Sequence, residues 1–177
     1  MDELVEHIDE FGNVLGVVSR WQAHKQGLLH RVVHICIVNS KNQILLQKRS
    51  KKKRLYPSVW DISAAGHILA GEKSLTSAIR EVREELGLDL QEDEFEFLFA
   101  FLDDLSIDDF YVNEIADVYL VKKDVNIDDI KTQKNEVDEV KWVPVDEFCR
   151  DCLGDNFCPH KKGFKKLREF FKNIKNI

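Results

Sequence analysis

Three closely spaced glutamates make residues 66–88 the part of the sequence best suited to chemistry. Glu81, Glu84 and Glu85 stand at i, i+3 and i+4, so a helix would crowd their carboxylates on one face. Like charges at these spacings each cost a helix roughly 0.2–0.5 kcal/mol, and a bound cation would remove that cost. Because oxygen ligands suit hard ions, the segment predicts a site for Mg²⁺ or Mn²⁺.

The other residues of this segment predict the helix that holds the carboxylates. Apolar residues recur at helical spacing, which favours an amphipathic helix docked by its apolar side. Gly87 follows as a typical helix-ending residue. The apolar positions are Leu75, Ala78, Ile79, Val82 and Leu86.

Residues 66–88 resemble the signature of the Nudix hydrolases at each of its fixed positions. A solvated acidic helix would explain the charges, but it would not explain Gly66, Glu72 and Gly87 in register with them. The matching positions are Gly66, Glu72, Arg80, Glu81, Val82, Glu84, Glu85, Gly87 and Leu88.

By this resemblance, two overlapping sets of residues carry the chemistry. Arg80 pairs with Glu72 and braces the loop against the helix. The implied catalytic residues are Glu72, Arg80, Glu81 and Glu84. The implied metal ligands are Glu81, Glu84, Glu85 and Glu136, and Glu136 lies six residues before Trp142.

The resemblance implies a hydrolase that acts on acid anhydrides in phosphorus-containing compounds. We expect a pyrophosphohydrolase for a small-molecule diphosphate, in which a nucleoside diphosphate is linked to another moiety. One or more Mg²⁺ ions would neutralise the diphosphate oxygens and activate the water that attacks phosphorus. The general base stays open among Glu84, Glu114 and Glu136.

A basic stretch, residues 48–54, precedes the signature. Its charges could grip substrate phosphates, or they could form a solvated loop, as charge runs usually do. We expect Arg49 to face the pocket and to bind substrate together with Glu114, while most of the lysines are exposed.

Three stretches of the sequence show a finer resemblance, to the isopentenyl-diphosphate-isomerase-like branch of the Nudix superfamily. They are AHKQGLLHR, LLQKRSKKKRLYPSVWDISAAGHILAGE and NEIADVY. That branch contains true isomerases and pyrophosphohydrolases. His24, His30 and His67 approximately match the metal-site histidines of the isomerases, although the spacing between His24 and His30 is one residue short.

Two groups that the isomerase reaction requires are missing from this chain. True isomerases carry a catalytic cysteine where this sequence has Ala65. The resemblance puts their catalytic glutamate at Glu114, but the metal-binding glutamate two positions earlier is replaced by Val112. Hydrolysis is therefore favoured, and an isomerase or a non-catalytic binding or regulatory module remains the alternative.

The four cysteines offer a further metal-site hypothesis. Cys36 lies in an apolar run and is expected to be a buried hydrophobe. Cys149, Cys152, Cys158 and His160 form a C-x2-C-x5-C-x-H pattern that could hold zinc. Because this spacing matches no standard zinc pattern, unligated thiols are favoured, and the question stays open.

The order of strands and helices predicts an α/β protein, and the resemblance implies a Nudix-type α/β/α sandwich around a mixed β-sheet. We expect one domain over residues 1–177, with an N-terminal hairpin extension at 1–29. The Nudix core would occupy 30–150, and a C-terminal helix 151–177.

Individual elements follow from the local pattern of apolar and turn residues. A hairpin is expected at 4–19, a short helical turn at 21–29 and an acidic loop at 103–109. Further strands are expected at 31–39 and 44–49 and within WDISAAG, EFEFLFAFL, YVNEIADVYLVKK and EVKWVPV, with helices near 146–152 and 161–174.

The composition narrows the class of protein. A net charge of −6 argues against a nucleic-acid-binding surface. The acidic start of the chain lacks the apolar core of a signal peptide, and no apolar run approaches a membrane span. We therefore expect a cytoplasmic protein without a nucleic-acid or membrane partner. A homodimer stays open, because many proteins of this fold form dimers.

Overall fold

The computed structural model describes residues 2–173, and these residues form nine β-strands and four α-helices. The strands are β1 Leu4–Ile8, β2 Val14–Ser19, β3 His30–Val38, β4 Gln43–Arg49, β5 Trp60–Asp61, β6 Ala64–His67, β7 Phe95–Ile107, β8 Phe110–Lys122 and β9 Val137–Pro144. The helices are α1 Arg20–Gln26, α2 Ser74–Leu86, α3 Val145–Asp151 and α4 Lys161–Asn173. Short 3-10 turns occur at Glu92–Glu94 and Ile127–Asp129.

A seven-stranded mixed sheet forms the centre of the fold. Its main path runs β5-β4-β3-β8-β7, while β6 pairs with β3 and β9 pairs with β4. Strands β3 and β8 are parallel, and the remaining pairs are antiparallel. The parallel register sets His30 beside Glu114, so it brings together two residues that are far apart in sequence.

Helices cover both faces of this sheet. On one face, α2 packs its apolar side, with Ala78, Val82 and Leu86, against Val33 and Ile35 of β3. On the other face, α3 and α4 bury Phe148, Phe164 and Leu167 among sheet residues. Because β3 and β8 are buried from both sides over much of their length, residues 32–38 and 115–121 are mostly apolar. The prediction of an α/β/α sandwich around a mixed sheet is confirmed.

The N-terminal strands β1 and β2 form a separate antiparallel hairpin, which continues into α1. Ser19 caps the start of α1 with its side chain, and Gly27 ends the helix at a φ of 64°. Backbone hydrogen bonds from Ile8 to Leu29 (2.9 Å) and from Ala70 to Leu4 (2.8 Å) join the hairpin to the core. These contacts bring α1, and therefore His24, over the end of the sheet.

One local expectation is wrong. Residues 103–109 were expected to form an acidic loop, but β7 continues through Ile107 and pairs with β8 up to Ile107↔Phe110. The turn is confined to Asp108 and Asp109, and Asp108 has a φ of 53°. Asp103 is buried, and His160 donates a hydrogen bond to its carboxylate. This hydrogen bond compensates the carboxylate for the loss of contact with water.

The other expected elements are present, with small shifts at their ends. The C-terminal helix occupies Lys161–Asn173, and the part of that expectation at residues 174–177 lies outside the described residues, as does Met1 of the N-terminal extension. Within the described part of the chain, no helix is long and apolar enough to cross a membrane.

Candidate active site

A cavity of about 550 Å³ opens where α1, α2, β8 and the basic loop meet. Its wall joins acidic residues of α2, a group of histidines and several basic side chains. The titratable and basic residues that line it include Arg20, His24, His34, Arg49, Lys52, Lys53, Arg54, His67, Glu81, Glu84, Glu85, Glu114, Glu136, Cys158 and His160.

Two of the three helix carboxylates are buried in this wall. Glu85 accepts hydrogen bonds from the side chain of Gln47 (2.9 Å) and the backbone N–H of Ala65 (3.1 Å). Burial and the neighbouring Glu81 raise the pKa of Glu85 to about 8. Burial also raises the pKa of Glu81 to about 7, although Arg80 opposes the shift. Arg80 supplies a positive charge to Glu81, but no basic side chain among the described residues forms an ion pair with Glu85.

Arg80 organises the acidic end of the cavity. Its Nη2 donates to the carbonyl of His67 (2.8 Å) and to Glu72 (3.2 Å), while Nη1 donates to Glu81 (2.7 Å). The hydroxyl of Ser77 also donates to Glu72, at 2.6 Å. The Arg80–Glu72 contact that the resemblance implies is therefore present, and it ties the loop to α2.

Glu84 differs from its two neighbours. Its side chain is 52% exposed and accepts a single hydrogen bond, from Nη1 of Arg80 at 3.2 Å. Among residues 2–173, two groups bring three or more metal-ligating atoms within 4.8 Å of one another, and neither group contains a helix glutamate. The three carboxylates expected to share one ion are thus divided between a buried pair and an exposed residue.

One of those two groups consists of His24, His30, His67 and Glu114. Three Nε2 atoms surround the same Oε1 atom of Glu114, at 3.8 Å for His24, 3.5 Å for His30 and 3.7 Å for His67. Two ligands about 2.1 Å from a tetrahedral metal ion lie about 3.4 Å apart, which is close to these separations. We call these four residues the histidine cluster.

The hydrogen bonds behind the histidine cluster orient its rings for metal binding. Nδ1 of His24 donates to the carbonyl of Tyr111 (2.9 Å), and Nδ1 of His30 donates to that of Leu28 (2.8 Å). Both assignments follow from the fact that a carbonyl oxygen only accepts. Each Nε2 is then an acceptor: that of His24 lies 3.2 Å from Nε2 of His67, and that of His30 is buried without a partner among the described residues. Burial lowers the pKa of His24 and His67, which favours the neutral rings that bind metals.

Glu114 therefore has surroundings that differ from the substrate contact expected of it. It is buried, and imidazoles cover the carboxylate oxygen that faces the cavity. The approximate match of the three histidines to the isomerase pattern was the sequence feature that indicated this arrangement. The parallel register of β3 and β8, which brings His30 to Glu114, is visible only in the structure.

Two further expected site residues line the cavity but are engaged with protein groups. Glu136 forms an ion pair with Lys53. Arg49 donates from Nε to the carbonyl of Tyr56 and from Nη2 to that of Leu55, both at 3.1 Å. Its remaining nitrogen, Nη1, lies 3.5 Å from a carboxylate oxygen of Asp61. These hydrogen bonds of Arg49 hold the backbone of the basic loop in place.

Two residues that the sequence did not single out, Phe110 and Asp61, contact side chains that line the cavity. Phe110 stacks on His24 with ring centroids 4.8 Å apart, and the guanidinium of Arg54 lies 4.5 Å from the centroid of Phe110. Cys158 and His160 meet Asp61 at another part of the wall. Asp61 lies 97 residues before Cys158 in the sequence, so no local sequence pattern predicts this contact.

The sequence of this chain matches that of a known family over most of its length. A profile of the family described as NUDIX domain matches residues 28–169. The chain therefore belongs to the Nudix hydrolase family, whose named relatives act on phosphorus-containing anhydrides.

Individual relatives agree with this assignment. Nudix hydrolase 3 of Arabidopsis thaliana is 45% identical over 152 residues, which are 81% of this chain and 20% of that protein. An uncharacterized Nudix hydrolase of Listeria innocua is 41% identical over 117 residues, or 66% of this chain and 64% of its own length. This chain thus spans less than two thirds of either relative. An isopentenyl-diphosphate Delta-isomerase of Serratia proteamaculans is 39% identical over 87 residues, which are 49% of each protein.

Solved structures show the same fold. DR0079 from Deinococcus radiodurans superimposes with a TM-score of 0.68 at 22% identity, covering 98% of this chain and all of its own. The Nudix domain of Shewanella oneidensis NrtR, solved with ADP ribose, gives a TM-score of 0.60 at 16% identity and covers 81% of this chain and 87% of that one.

Proposed function

We propose that this protein is a Mg²⁺- or Mn²⁺-dependent pyrophosphohydrolase that cleaves a nucleoside diphosphate linked to another moiety. The observation that carries the proposal is the buried pair Glu81 and Glu85 on the wall of a cavity that basic side chains also line. Oxygen-only ligands suit Mg²⁺ and Mn²⁺. Arg80 offsets the charge of Glu81 only, and a divalent cation would compensate the second buried carboxylate as well.

The glutamates would bind the ion, and the ion itself would supply the chemistry. Glu81 and Glu85 would hold the ion, with Arg80 and Gln47 keeping their carboxylates in place. When bound, a divalent ion neutralises diphosphate charge and activates water.

The general base is best assigned to Glu84. Its exposed carboxylate faces the cavity and bonds only to Arg80, so it is free to accept a proton from water. Histidines surround Glu114, and Lys53 neutralises Glu136, so both are poorer bases for this step. The assignment of Glu72, Arg80, Glu81 and Glu84 as the catalytic set is retained as part of this proposal.

The basic loop supplies the counter-charge for substrate phosphates. Lys52, Lys53 and Arg54 line the cavity, and Arg54 is 61% exposed over the face of Phe110. An arginine fork can bind a phosphate with two parallel hydrogen bonds, whereas a lysine acts as a point charge. Arg54 is therefore a better substrate ligand than Arg49, whose nitrogens already bond to protein oxygens.

The histidine cluster favours a second candidate function, isopentenyl-diphosphate isomerisation. Three imidazoles and a carboxylate suit a divalent transition metal, and an isomerase is among the relatives of this chain. Ala65 and Val112 nevertheless lack the acid and the extra carboxylate that the resemblance requires. We therefore propose that the cluster binds metal in support of hydrolysis.

The same proposal covers the organisation of the chain. Residues 1–177 would act as one domain, with the segments 1–29, 30–150 and 151–177 as its extension, core and closing helix. The partner would be a small-molecule diphosphate. The four cysteines are unpaired, which is typical of a reducing compartment and supports the expected cytoplasmic location.

A cleavage screen, read by chromatography of the phosphorylated products, tests the proposal. The purified protein is incubated with Mg²⁺ or Mn²⁺ and a panel of diphosphates that includes ADP ribose, dinucleoside polyphosphates, nucleotide sugars, coenzyme A and isopentenyl diphosphate. At least one nucleoside diphosphate compound should be cleaved, and Glu85→Gln should lose that activity. A wild-type protein that cleaves none of them, or a variant with unchanged turnover, would contradict the proposal.

A further inference from the structure

A second group of metal-ligating atoms lies apart from the helix glutamates and the histidine cluster. It consists of Asp61 at the end of β5, and Cys158 and His160 between α3 and α4. The carboxylate oxygen, the thiol sulfur and the imidazole nitrogen all lie within 4.8 Å of one another. We call these three residues the Asp–Cys–His cluster.

The distances and the burial of this cluster suit a tetrahedral ion. Nε2 of His160 is 3.7 Å from Oδ2 of Asp61, close to the separation of about 3.4 Å between ligands of tetrahedral zinc. Asp61 is fully buried, and Cys158 and His160 are 2% and 8% exposed. A buried carboxylate beside a buried thiol and an imidazole is a costly arrangement unless their charges are compensated.

The surroundings direct all three ligand atoms to one point. Nδ1 of His160 donates to Asp103 at 2.5 Å, which leaves Nε2 facing Asp61. A carboxylate behind the second ring nitrogen is the usual support of a metal-binding histidine. Oδ1 of Asp61 accepts from the backbone N–H of Ile62 at 2.9 Å, so Oδ2, which Nη1 of Arg49 also approaches at 3.5 Å, is the oxygen that faces His160.

The backbone fixes the cysteine next to β5. Trp60 donates its N–H to Asn156, and Cys158 donates its own to Trp60, both at 2.8 Å. The segment before α4 therefore runs beside β5 as a short parallel bridge at Trp60 and Phe157. This pairing holds the thiol of Cys158 beside the carboxylate of Asp61.

An ion-pair network is the simpler account of part of this cluster. His160 lies between Asp61 and Asp103, and Nη1 of Arg49 is 3.5 Å from Asp61. Such a network would fix the segment before α4 without any metal. In such a network the thiol of Cys158 would only hydrogen-bond to His160, whereas a thiol beside an imidazole and a carboxylate is the ligand that distinguishes a zinc site from an ion pair.

We propose that Asp61, Cys158 and His160 bind a zinc ion, a site distinct from the one that the proposed hydrolysis uses. The mixed sulfur, nitrogen and oxygen ligands suit a borderline-soft ion rather than Mg²⁺. Cys158 and His160 both line the cavity, so an ion held by the three residues would be accessible from it to water or to an anionic oxygen of a bound ligand.

This assignment also answers the hypothesis of a C-x2-C-x5-C-x-H zinc site. Cys149 and Cys152 pack in the core beneath α4, and neither belongs to a ligand group among the described residues. Cys158 and His160 instead find their third ligand in Asp61. Of the four residues in that pattern, only Cys158 and His160 would therefore bind the ion.

Cobalt substitution tests the proposal. The protein is stripped with chelator, dialysed and titrated with Co²⁺, whose bond to a thiolate gives a charge-transfer band in the near ultraviolet. The helix glutamates and the histidine cluster contain no sulfur, so this band reports the Asp–Cys–His cluster even if Co²⁺ binds elsewhere. Wild type should show the band and lose it when Zn²⁺ is added.

Two cysteine variants locate the thiolate. Cys158→Ser should abolish the band, whereas Cys149→Ser, which removes another buried thiol, should keep it. His160→Gln should weaken or shift the band while leaving the thiol in place, and it replaces the first variant if circular dichroism shows Cys158→Ser to be unfolded. No band in folded wild type, or a band unchanged in folded Cys158→Ser or His160→Gln, would overturn the proposal. Because the readout does not involve hydrolysis, it stands or falls independently of the proposed function.

Discussion

The carboxylate of Glu81 occupies the space beside Gly66 that a side chain at that position would need. A Cβ atom at Gly66 would lie 2.0 Å from Cδ of Glu81 and 2.1 Å from its Oε1. The backbone of β6 and the end of the Glu81 side chain therefore approach each other as closely as a glycine permits. This contact gives a physical reason for a glycine at the start of the signature, fifteen residues before the glutamate.

Gly66→Ala should impair catalysis more than folding. The added methyl group would displace the flexible end of Glu81 rather than the backbone, and a displacement of about 1 Å in an active site can cost on the order of 10²-fold in rate. We expect turnover on the substrate found by the screen to fall by about that factor, with thermal unfolding nearly unchanged. Gly16→Ala is the matched control, because no atom lies within 4 Å of its added Cβ. Equal losses in the two variants would show that the contact with Glu81 is unimportant.

Glu85→Gln should stabilise the metal-free protein at alkaline pH. The pKa of Glu85 rises from 4.5 to about 8, so folding favours its protonated form. Stability from this group is complete below pH 4.5 and is lost as the pH rises to about 8. The amide can still accept the hydrogen bonds of Gln47 and Ala65. Since one pKa unit corresponds to about 1.4 kcal/mol, a pKa raised from 4.5 to about 8 gives a gain at pH 9 on the order of 5 kcal/mol.

Denaturant unfolding at pH 5 and pH 9, in the presence of chelator, measures this effect. The stability of the variant relative to wild type should increase between the two pH values. Glu84→Gln is the control, since an exposed carboxylate should change the free energy of unfolding little at either pH. Adding Mg²⁺ at pH 9 should raise the stability of wild type but not that of Glu85→Gln. A wild type that is equally stable at both pH values without metal would contradict the assigned burial of Glu85.

The parts of the site that follow from sequence are those encoded locally. The helix and the Arg80–Glu72 brace depend on spacings of a few residues, and the signature gives them directly. The exposure of Glu84 depends on how Arg80 divides its hydrogen bonds, which spacing does not determine. The Asp–Cys–His cluster requires the pairing of β5 with a distant segment, and nothing in the local sequence encodes that pairing.

The fold shows the same division. The central strands were predictable because burial on both faces leaves long apolar runs. The continuation of β7 through residues 103–107 was not predictable, because its aspartates resemble a solvated loop. Asp103 pairs with Glu114 in the strand ladder, and His160, from beyond α3, provides a hydrogen bond for its buried carboxylate.

Removal of divalent metal should abolish hydrolysis. Glu81 and Glu85 cannot neutralise a diphosphate by themselves, because they carry the same sign of charge as the substrate. Activity should therefore vanish in excess EDTA and return when Mg²⁺ or Mn²⁺ is added above the chelator. Zinc added alone at stoichiometric amounts should not restore it, since the oxygen ligands of α2 suit harder ions. Full turnover in chelator, with no metal detected by elemental analysis, would rule out the assignment.

The cavity should not support isopentenyl diphosphate isomerisation. That reaction adds a proton at one carbon of the double bond and removes one nearby, so it requires two placed acid or base groups. Ala65 has no proton to donate, and Val112 supplies no carboxylate beside Glu114. Glu114 itself is surrounded by the imidazoles of the histidine cluster. We therefore expect incubation with isopentenyl diphosphate and Mg²⁺ to yield no dimethylallyl diphosphate.

Product analysis by mass spectrometry after acid-free extraction cannot separate these isomers, so proton NMR of the reaction mixture is the suitable measurement. The same protein preparation should cleave a nucleoside diphosphate compound, which shows that it is active. Dimethylallyl diphosphate formed at enzymatic rates would contradict the hydrolase assignment and would require another acid in the cavity. Ser63 and His67 are the nearest candidates to the position of Ala65, and Cys158 is the thiol that lines the same wall. Loss of isomer formation in one of the variants Ser63→Ala, His67→Gln and Cys158→Ser would then identify that acid.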